Sequence, residues 1–205
     1  MSNQYTSNLM MVRPAGFQFN YETAVSNAFQ KSLEGLSADE IKQKAIEEFD
    51  AYVAKLRAND INVTVIQDTD EPAKPDAIFP NNWISMHGNG TVFLYPMLTE
   101  NRRLEIRPEI LEELKTRFVV TKVNDITASV NEGKFLEGTG SIIFDHLHKI
   151  AYACLSPRTD KDLFVNYCNN IQYEPVYFYS SDEQDNLVYH TNVMLCIGSR
   201  FAVVC

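Results

Sequence analysis

The chain has 205 residues, enough for one sizeable core or two small ones, and 45% hydrophobic with 22% charged residues is a globular rather than a disordered composition. An excess of 27 acidic over 18 basic residues leaves a net charge of -9, which disfavours nucleic acid and other phosphate-coated partners. No run approaches the roughly 20 apolar residues of a membrane helix, and Met-Ser-Asn-Gln-Tyr-Thr-Ser-Asn lacks the regions of a signal peptide, so a soluble cytoplasmic protein with no membrane partner is expected. The cysteines, Cys154, Cys168, Cys196 and Cys205, show no Cys-x-x-Cys spacing and no neighbouring histidines, so no metal site is expected. Cys154 and Cys196 read as small buried apolar residues.

After a polar leader, Leu9 to Arg13 reads as a short strand closed by Pro14 and Gly16, and Tyr21 to Phe29 has helical spacing. Ser37-Ala-Asp-Glu40 is a capping box opening a helix that runs to about Asn59, with Ile41, Ala45, Phe49, Tyr52, Val53 and Leu56 on one face. A strand follows at Asn62 to Ile66. The acidic segment Asp68 to Pro75, with two prolines, is then a surface loop that delivers Asp76-Ala-Ile-Phe79 to a first polar cluster.

From there the chain repeats itself. Trp83 to Ser85 and Thr91 to Tyr95 pair as strands around His87-Gly88-Asn89-Gly90, where Asn89-Gly90 is a favoured hairpin turn. A helix from about Arg107 to Arg117 and a strand from Phe118 to Val123 complete the copy. In the next, Ser141 to Phe144 and Ile150 to Cys154 form a hairpin, followed by a helix near Lys161 to Cys168 and a strand from Glu174 to Tyr179. A third copy begins with Asn192 to Ile197 and Phe201 to Val204.

Each hairpin starts at a polar cluster: Asn81 and Asn82 in Ile-Phe-Pro-Asn-Asn-Trp, Glu137 in Leu-Glu-Gly-Thr-Gly, and His190 in Tyr-His-Thr-Asn. The steps from Asn82 to Glu137 and from Glu137 to His190 are 55 and 53 residues. Such spacing suggests a supersecondary unit that presents one polar residue per copy to a shared centre. Val203-Val204-Cys205 stand inside a hairpin with no cap or charged tail after them, so a truncated product is expected, and strand edges left open would favour self-association into homo-oligomers.

Singly, each cluster has an ordinary reading. Asn81 and Asn82 follow a proline as turn residues do, Glu137 could end a strand in solvent, His190 could be a structural histidine, and Arg158 could serve the surroundings of the next helix. In this order, however, Phe-Pro-Asn-Asn-Trp, Leu-Glu-Gly-Thr-Gly-Ser, Leu-Ser-Pro-Arg-Thr and Tyr-His-Thr-Asn resemble the motifs of the guanidine-modifying superfamily. That group includes arginine deiminase, dimethylarginine dimethylaminohydrolase and the amidinotransferases, and the chain is most similar to its bacterial arginine-deiminase-related branch of citrulline hydrolases. The resemblance covers about Met11 to Cys205.

It implies an α/β pentein fold, a five-bladed propeller of ββαβ repeats around a central site. Residues 1–205 would then be a partial amidinotransferase-like domain, missing about the last hundred residues. It implies further that Glu137 matches the catalytic glutamate and His190 the catalytic histidine. Asn82 stands where arginine deiminases carry an aspartate, and Asn192 replaces the aspartate of a His-x-Asp pattern. Arg158 matches a substrate-binding arginine, and Arg102 or Arg103 lies at about the offset of a second; both suit a substrate carboxylate. The nucleophilic cysteine would lie beyond Cys205, and no cofactor is implied.

The chemistry implied is nucleophilic attack on a planar carbon bonded to three heteroatoms. His190 protonates the departing nitrogen and then takes a proton from water, while Glu137 binds substrate nitrogens and favours the imidazolium form of His190. Asparagine both donates and accepts, so two Asn in place of Asp tilt the expected small-molecule amino acid from a guanidinium towards a neutral ureido compound, citrulline before arginine. Alternatives within the class are an arginine deiminase or an amidinotransferase. From another class, a catalytically dead binding or scaffold protein would keep the arginines and lack the thiol.

Overall fold

A computed structural model describes residues 4–27, 29–31 and 35–205. The chain divides into two compact units, one of residues 6–80 and 99–110, the other of residues 4–5, 81–98 and 111–205. No helix among the described residues is long and apolar enough to cross a membrane.

In the first unit, β1 (Asn8–Arg13) pairs in parallel with β2 (Asn62–Gln67), Asn8 opposite Asn62 and Arg13 opposite Gln67. A parallel pair needs a crossover, and α1 (Tyr21–Ala24) and α2 (Ala38–Arg57) lie within it. The capping box forms as expected: Ser37 Oγ accepts the Glu40 N–H, and the Glu40 carboxylate accepts the Ser37 N–H at 2.8 Å. Phe49 and Val53 of α2 pack with Val63 of β2, joined by Met11, Leu56 and Ile78. Tyr52 is 55% exposed, at the margin of the apolar stripe rather than in it.

The helix expected from Tyr21 to Phe29 stops at Ala24, and Ala28 lies outside the described residues. Local side-chain bonds compete with the helix there: the Ser26 hydroxyl donates to Thr23 O, and Asn27 Oδ1 accepts the Phe29 N–H at 3.0 Å. The loop from Asp68 to Pro75 is also more than a surface loop, because it wraps a buried ammonium. Lys74 Nζ donates to Thr69 O, Thr69 Oγ1 and Pro72 O at 3.0, 2.8 and 2.6 Å and lies 3.4 Å from the buried Asp68 carboxylate. The short helix α3 (Glu100–Arg103), which has too few turns to show a periodicity, completes this unit.

The second unit carries the repeat. β3 (Ile84–Met86) runs antiparallel to β4 (Thr91–Leu94), and β4 is parallel to β5 (Lys122–Asp125), reached through α4 (Pro108–Arg117). After the short helix α5 (Gly138–Ser141), β6 (Ile142–Asp145) is antiparallel to β7 (Ile150–Cys154), and α6 (Lys161–Ile171) leads to β8 (Glu174–Phe178), parallel to β7. β9 (Leu195–Ile197) and β10 (Ala202–Val204) form the third hairpin. Gln4 links two copies: its side-chain amide donates to Phe144 O and Ile197 O and accepts the His146 N–H.

Three expectations shift. The strand expected from Phe118 begins only at Lys122, because Phe118 N still bonds Leu114 O, Thr121 N bonds Gly90 O, and the ladder sets Thr91 opposite Lys122. The third hairpin starts at Leu195 rather than Asn192, since Thr191–Val193 is a 3₁₀ turn, as Pro80–Asn82 is in the first copy. The turn after β3 is not the two-residue Asn89-Gly90 type. His87 N bonds Thr91 O and Gly90 N bonds His87 O, leaving a three-residue loop in which Gly90 alone has positive φ, +79.

The core of this unit gathers Phe93, Leu136, Ile142, Phe144, Phe164 and Tyr167, with Ala151 and Ala153 of β7 small enough to admit α6. Cys154 and Cys168 are buried, and burial pushes both thiols up, Cys168 to about 12. Cys196 is exposed, contrary to expectation, since strand alternation turns it outward between Leu195 and Ile197. Inside the core, Ser85 Oγ lies 2.6 Å from Tyr95 Oη, which donates to Tyr167 Oη at 2.9 Å. His87 Nε2 lies 3.1 Å from the same Ser85 hydroxyl, and burial, with a smaller contribution from His146, lowers its pKa to about 4.

Candidate active site

The helical turn ahead of each hairpin is what aims the polar residues. Glu137 and His190 both stand at the N-cap of their turn, five residues before the first strand residue, Ile142 and Leu195. Neither side chain caps its own turn, which frees both to meet. They do so in the interior. His190 Nε2 lies 2.8 Å from Glu137 Oε2, with Glu137 fully buried and His190 4% exposed.

The carboxylate is held on all sides. Its Oε1 accepts the Leu98 N–H at 3.0 Å, and its Oε2 lies 3.4 Å from Arg158 Nη1. Arg158 is buried too, and its guanidinium stacks over the Tyr189 ring at 4.9 Å. Tyr189 in turn contacts the His190 ring, with centroids 4.7 Å apart. The carboxylate is thus flanked by a guanidinium and an imidazole in a dry environment, where charge pairing is strong.

Of the asparagine pair, it is Asn82 that turns inward. It is buried, and its Nδ2 lies against Gly140, the residue that the His190 ring also touches. A Cβ built on Gly140 would overlap Asn82 Nδ2 and stand 2.8 and 2.9 Å from His190 Cε1 and Nδ1. Gly138 has φ +45, and its missing side chain makes room for the carbonyls of Asn81 and Asn82. Asn81 contributes main chain, its carbonyl accepting the Thr139 hydroxyl at 3.3 Å. The two glycines of Leu-Glu-Gly-Thr-Gly are therefore the reason that Glu137, His190 and Asn82 can pack together. The sequence displays these glycines without showing what approaches them.

The other predicted residues are placed less closely. Asn192 is exposed within the 3₁₀ turn. In the first unit, Arg102 and Arg103 lie on α3, Arg102 buried and Arg103 half-buried. The Arg102 guanidinium makes a two-point pair with Glu105, at 2.8 and 2.9 Å, and donates to the carbonyls of Asp76 and Phe79. Sequence reasoning missed Glu105, Leu98 and the buried hydroxyls of Ser141, Thr159 and Thr191. The Glu105 pairing is in principle legible as an Arg–Glu pair at i,i+3.

The fold and this buried cluster define a class. Solved structures similar to the chain include the N-terminal domain of ArgZ, a substituted form bound to substrate, an arginine dihydrolase from the ornithine–ammonia cycle in cyanobacteria, at TM-score 0.72 and 18% identity. They also include a substituted form of DDAH from Pseudomonas aeruginosa complexed with citrulline, at TM-score 0.64 and 19% identity. The match covers 95% and 93% of this chain, and the chain spans 65% of the length of each of those structures. The fold is accordingly of the pentein type, an α/β architecture of ββαβ repeats. A family model described as "N,N dimethylarginine dimethylhydrolase, eukaryotic" matches residues 13–205, and the chain belongs to that family. A comparison with curated proteins returned no match.

Proposed function

We propose that the whole protein is a hydrolase that cleaves the non-peptide C–N bond of a guanidino or ureido amino acid, with citrulline favoured over arginine. The observation that carries this reading is the buried 2.8 Å contact between His190 and Glu137, with the Asn82 amide packed beside the same imidazole. A histidine next to a fixed carboxylate is suited to donate a proton to a departing nitrogen and to take one from water. Family membership supports the reaction class, and the relatives named above supply the substrate types.

The asparagines support the finer choice. Asn82 is a neutral amide where the resemblance leads one to expect a carboxylate, and it can donate to a ureido oxygen or accept from a ureido nitrogen. A guanidinium would instead be best paired by an additional anion. Hydrolysis of citrulline converts the ureido group and one water into the free amine, ammonia and carbon dioxide. The nucleophile is a cysteine thiolate in this mechanism, and the buried thiols of Cys154 and Cys168, held in the protonated form, do not suit that role. Arg158 is the side chain proposed to meet the substrate carboxylate.

The test is ammonia release by the full-length protein from citrulline, arginine and dimethylarginine. Citrulline turnover that disappears in Glu137→Gln and in His190→Asn is the expected result, with Asn82→Asp moving preference towards arginine. Turnover of arginine but not citrulline would overturn the ureido preference. Binding of either amino acid without turnover would overturn the hydrolase reading.

A further inference from the structure

The acid–base pair sits on a buried hydroxyl network that joins two copies of the repeat. Ser141, the last residue of α5, is fully buried, and its Oγ uses all of its hydrogen-bonding capacity. It accepts the main-chain N–H of Glu137 at 3.1 Å, accepts the Thr159 hydroxyl at 2.8 Å, and donates to the carbonyl of Arg158 at 3.1 Å. One side chain thereby braces the backbone of Glu137, whose N–H also reaches the Arg158 carbonyl directly at 3.2 Å, against the loop that carries Arg158.

The second hydroxyl ties in the histidine. Thr191 follows His190 directly and is fully buried. Its hydroxyl donates to the carbonyl of Ser141, and its Oγ1 accepts the Cys154 N–H at 2.7 Å. The backbones of Glu137 and His190 are thus anchored to one residue, Ser141, from either side. Without the Thr191 hydroxyl, a buried carbonyl and a buried N–H would each lose their partner, at about 1–3 kcal/mol apiece. The turn relieves that cost by moving outward to reach water, and His190 moves with it.

We propose that Ser141 and Thr191 are positioning residues that set the distance between His190 and Glu137. Their importance for turnover rests on the hydrolase reading given above; the geometric claim does not. A side chain that only filled space at position 191 could be replaced by the isosteric valine, whereas a positioning hydroxyl is retained in serine and lost in valine.

The experiment follows the His190 imidazole by 1H–15N NMR across pH in the wild-type chain and in Glu137→Gln, Thr191→Val, Thr191→Ser and Ser141→Ala. The Glu137→Gln spectrum defines His190 without its carboxylate. Thr191→Val is expected to give ring shifts and a titration midpoint displaced towards those of Glu137→Gln, and Thr191→Ser to restore the wild-type values. In the full-length enzyme Thr191→Val lowers kcat by about 10- to 100-fold with little change in KM, as expected for a misplaced catalytic group. A Thr191→Val protein with wild-type His190 signals overturns the proposal, as does a Thr191→Ser protein displaced as far as Thr191→Val. Where Thr191→Val does not fold, Ser141→Ala is read by the same criterion. If Glu137→Gln itself leaves His190 unchanged, the acid–base reading fails rather than the positioning one.

Discussion

Gly140→Ala adds one methyl group at the point where Asn82 and His190 converge. The new Cβ would stand 2.8 and 2.9 Å from His190 ring atoms, against ordinary contact from 3.4 Å, so the ring must retreat by about 0.5 Å and the Asn82 amide by more. Both residues are 4% exposed and have little room to give way. Overpacking of that kind costs about 1–3 kcal/mol. The stiffer unfolded chain offsets about 0.4–1 kcal/mol of it, which leaves a net loss centred on about 1.3 kcal/mol. Trp83, the one tryptophan in the chain, is adjacent to Asn82 and 1% exposed, so its fluorescence reports this site during urea unfolding. Gly88→Ala serves as the control, because nothing lies within 4 Å of a Cβ there; its effect should stay within about 0.5 kcal/mol. A Gly140→Ala protein as stable as Gly88→Ala, with unshifted Trp83 emission, would refute the packing described here.

Two further outcomes follow from buried charge. His87 is held at about 4 against an ordinary 6.5, so between those values the unfolded chain binds the proton more tightly. The stability that neutral His87 contributes is complete above pH 6.5 and is lost as pH falls towards 4, by about 2–3 kcal/mol. His87→Gln should flatten urea midpoints over that range, and an identical acid dependence in both proteins would contradict the assignment. Lys74→Met removes the cation from a pair whose side chains are each 1% exposed, and should cost about 3–5 kcal/mol by leaving the Asp68 carboxylate buried alone. Adding Asp68→Asn should recover a large part of the loss in thermal unfolding; no recovery would mean that Lys74 acts only through its bonds to the loop carbonyls.

Much of the fold and of the site is legible in the amino-acid sequence. The Ser37–Glu40 box marks a real helix start because both reciprocal bonds lie within four residues, and the repeated hairpins follow from β-branched runs separated by turn residues. Glu137 and His190 are marked by their spacing and Arg158 by the motif resemblance, and the fold gathers the three. What stays hidden depends on contacts distant in sequence. The apolar run at Phe118 offers no sign that the ladder begins at Lys122, because register is set by β4. Likewise, the choice between Asn81 and Asn82 turns on Gly140, 58 residues beyond Asn82, and the role of Thr191 turns on Ser141.

The shared placement of Glu137 and His190 has an evolutionary corollary. Neither side chain caps the turn that carries it, so both turns are closed by main-chain bonds, Ser141 N to Glu137 O in one and Met194 N to Thr191 O in the other. Two copies of the repeat thus place a side chain at the same position of the same kind of frame, and the group carried there has diverged, a carboxylate in one and an imidazole in the other. One main-chain geometry presents two different side chains to a common point, and the repeat needs no second frame to do so.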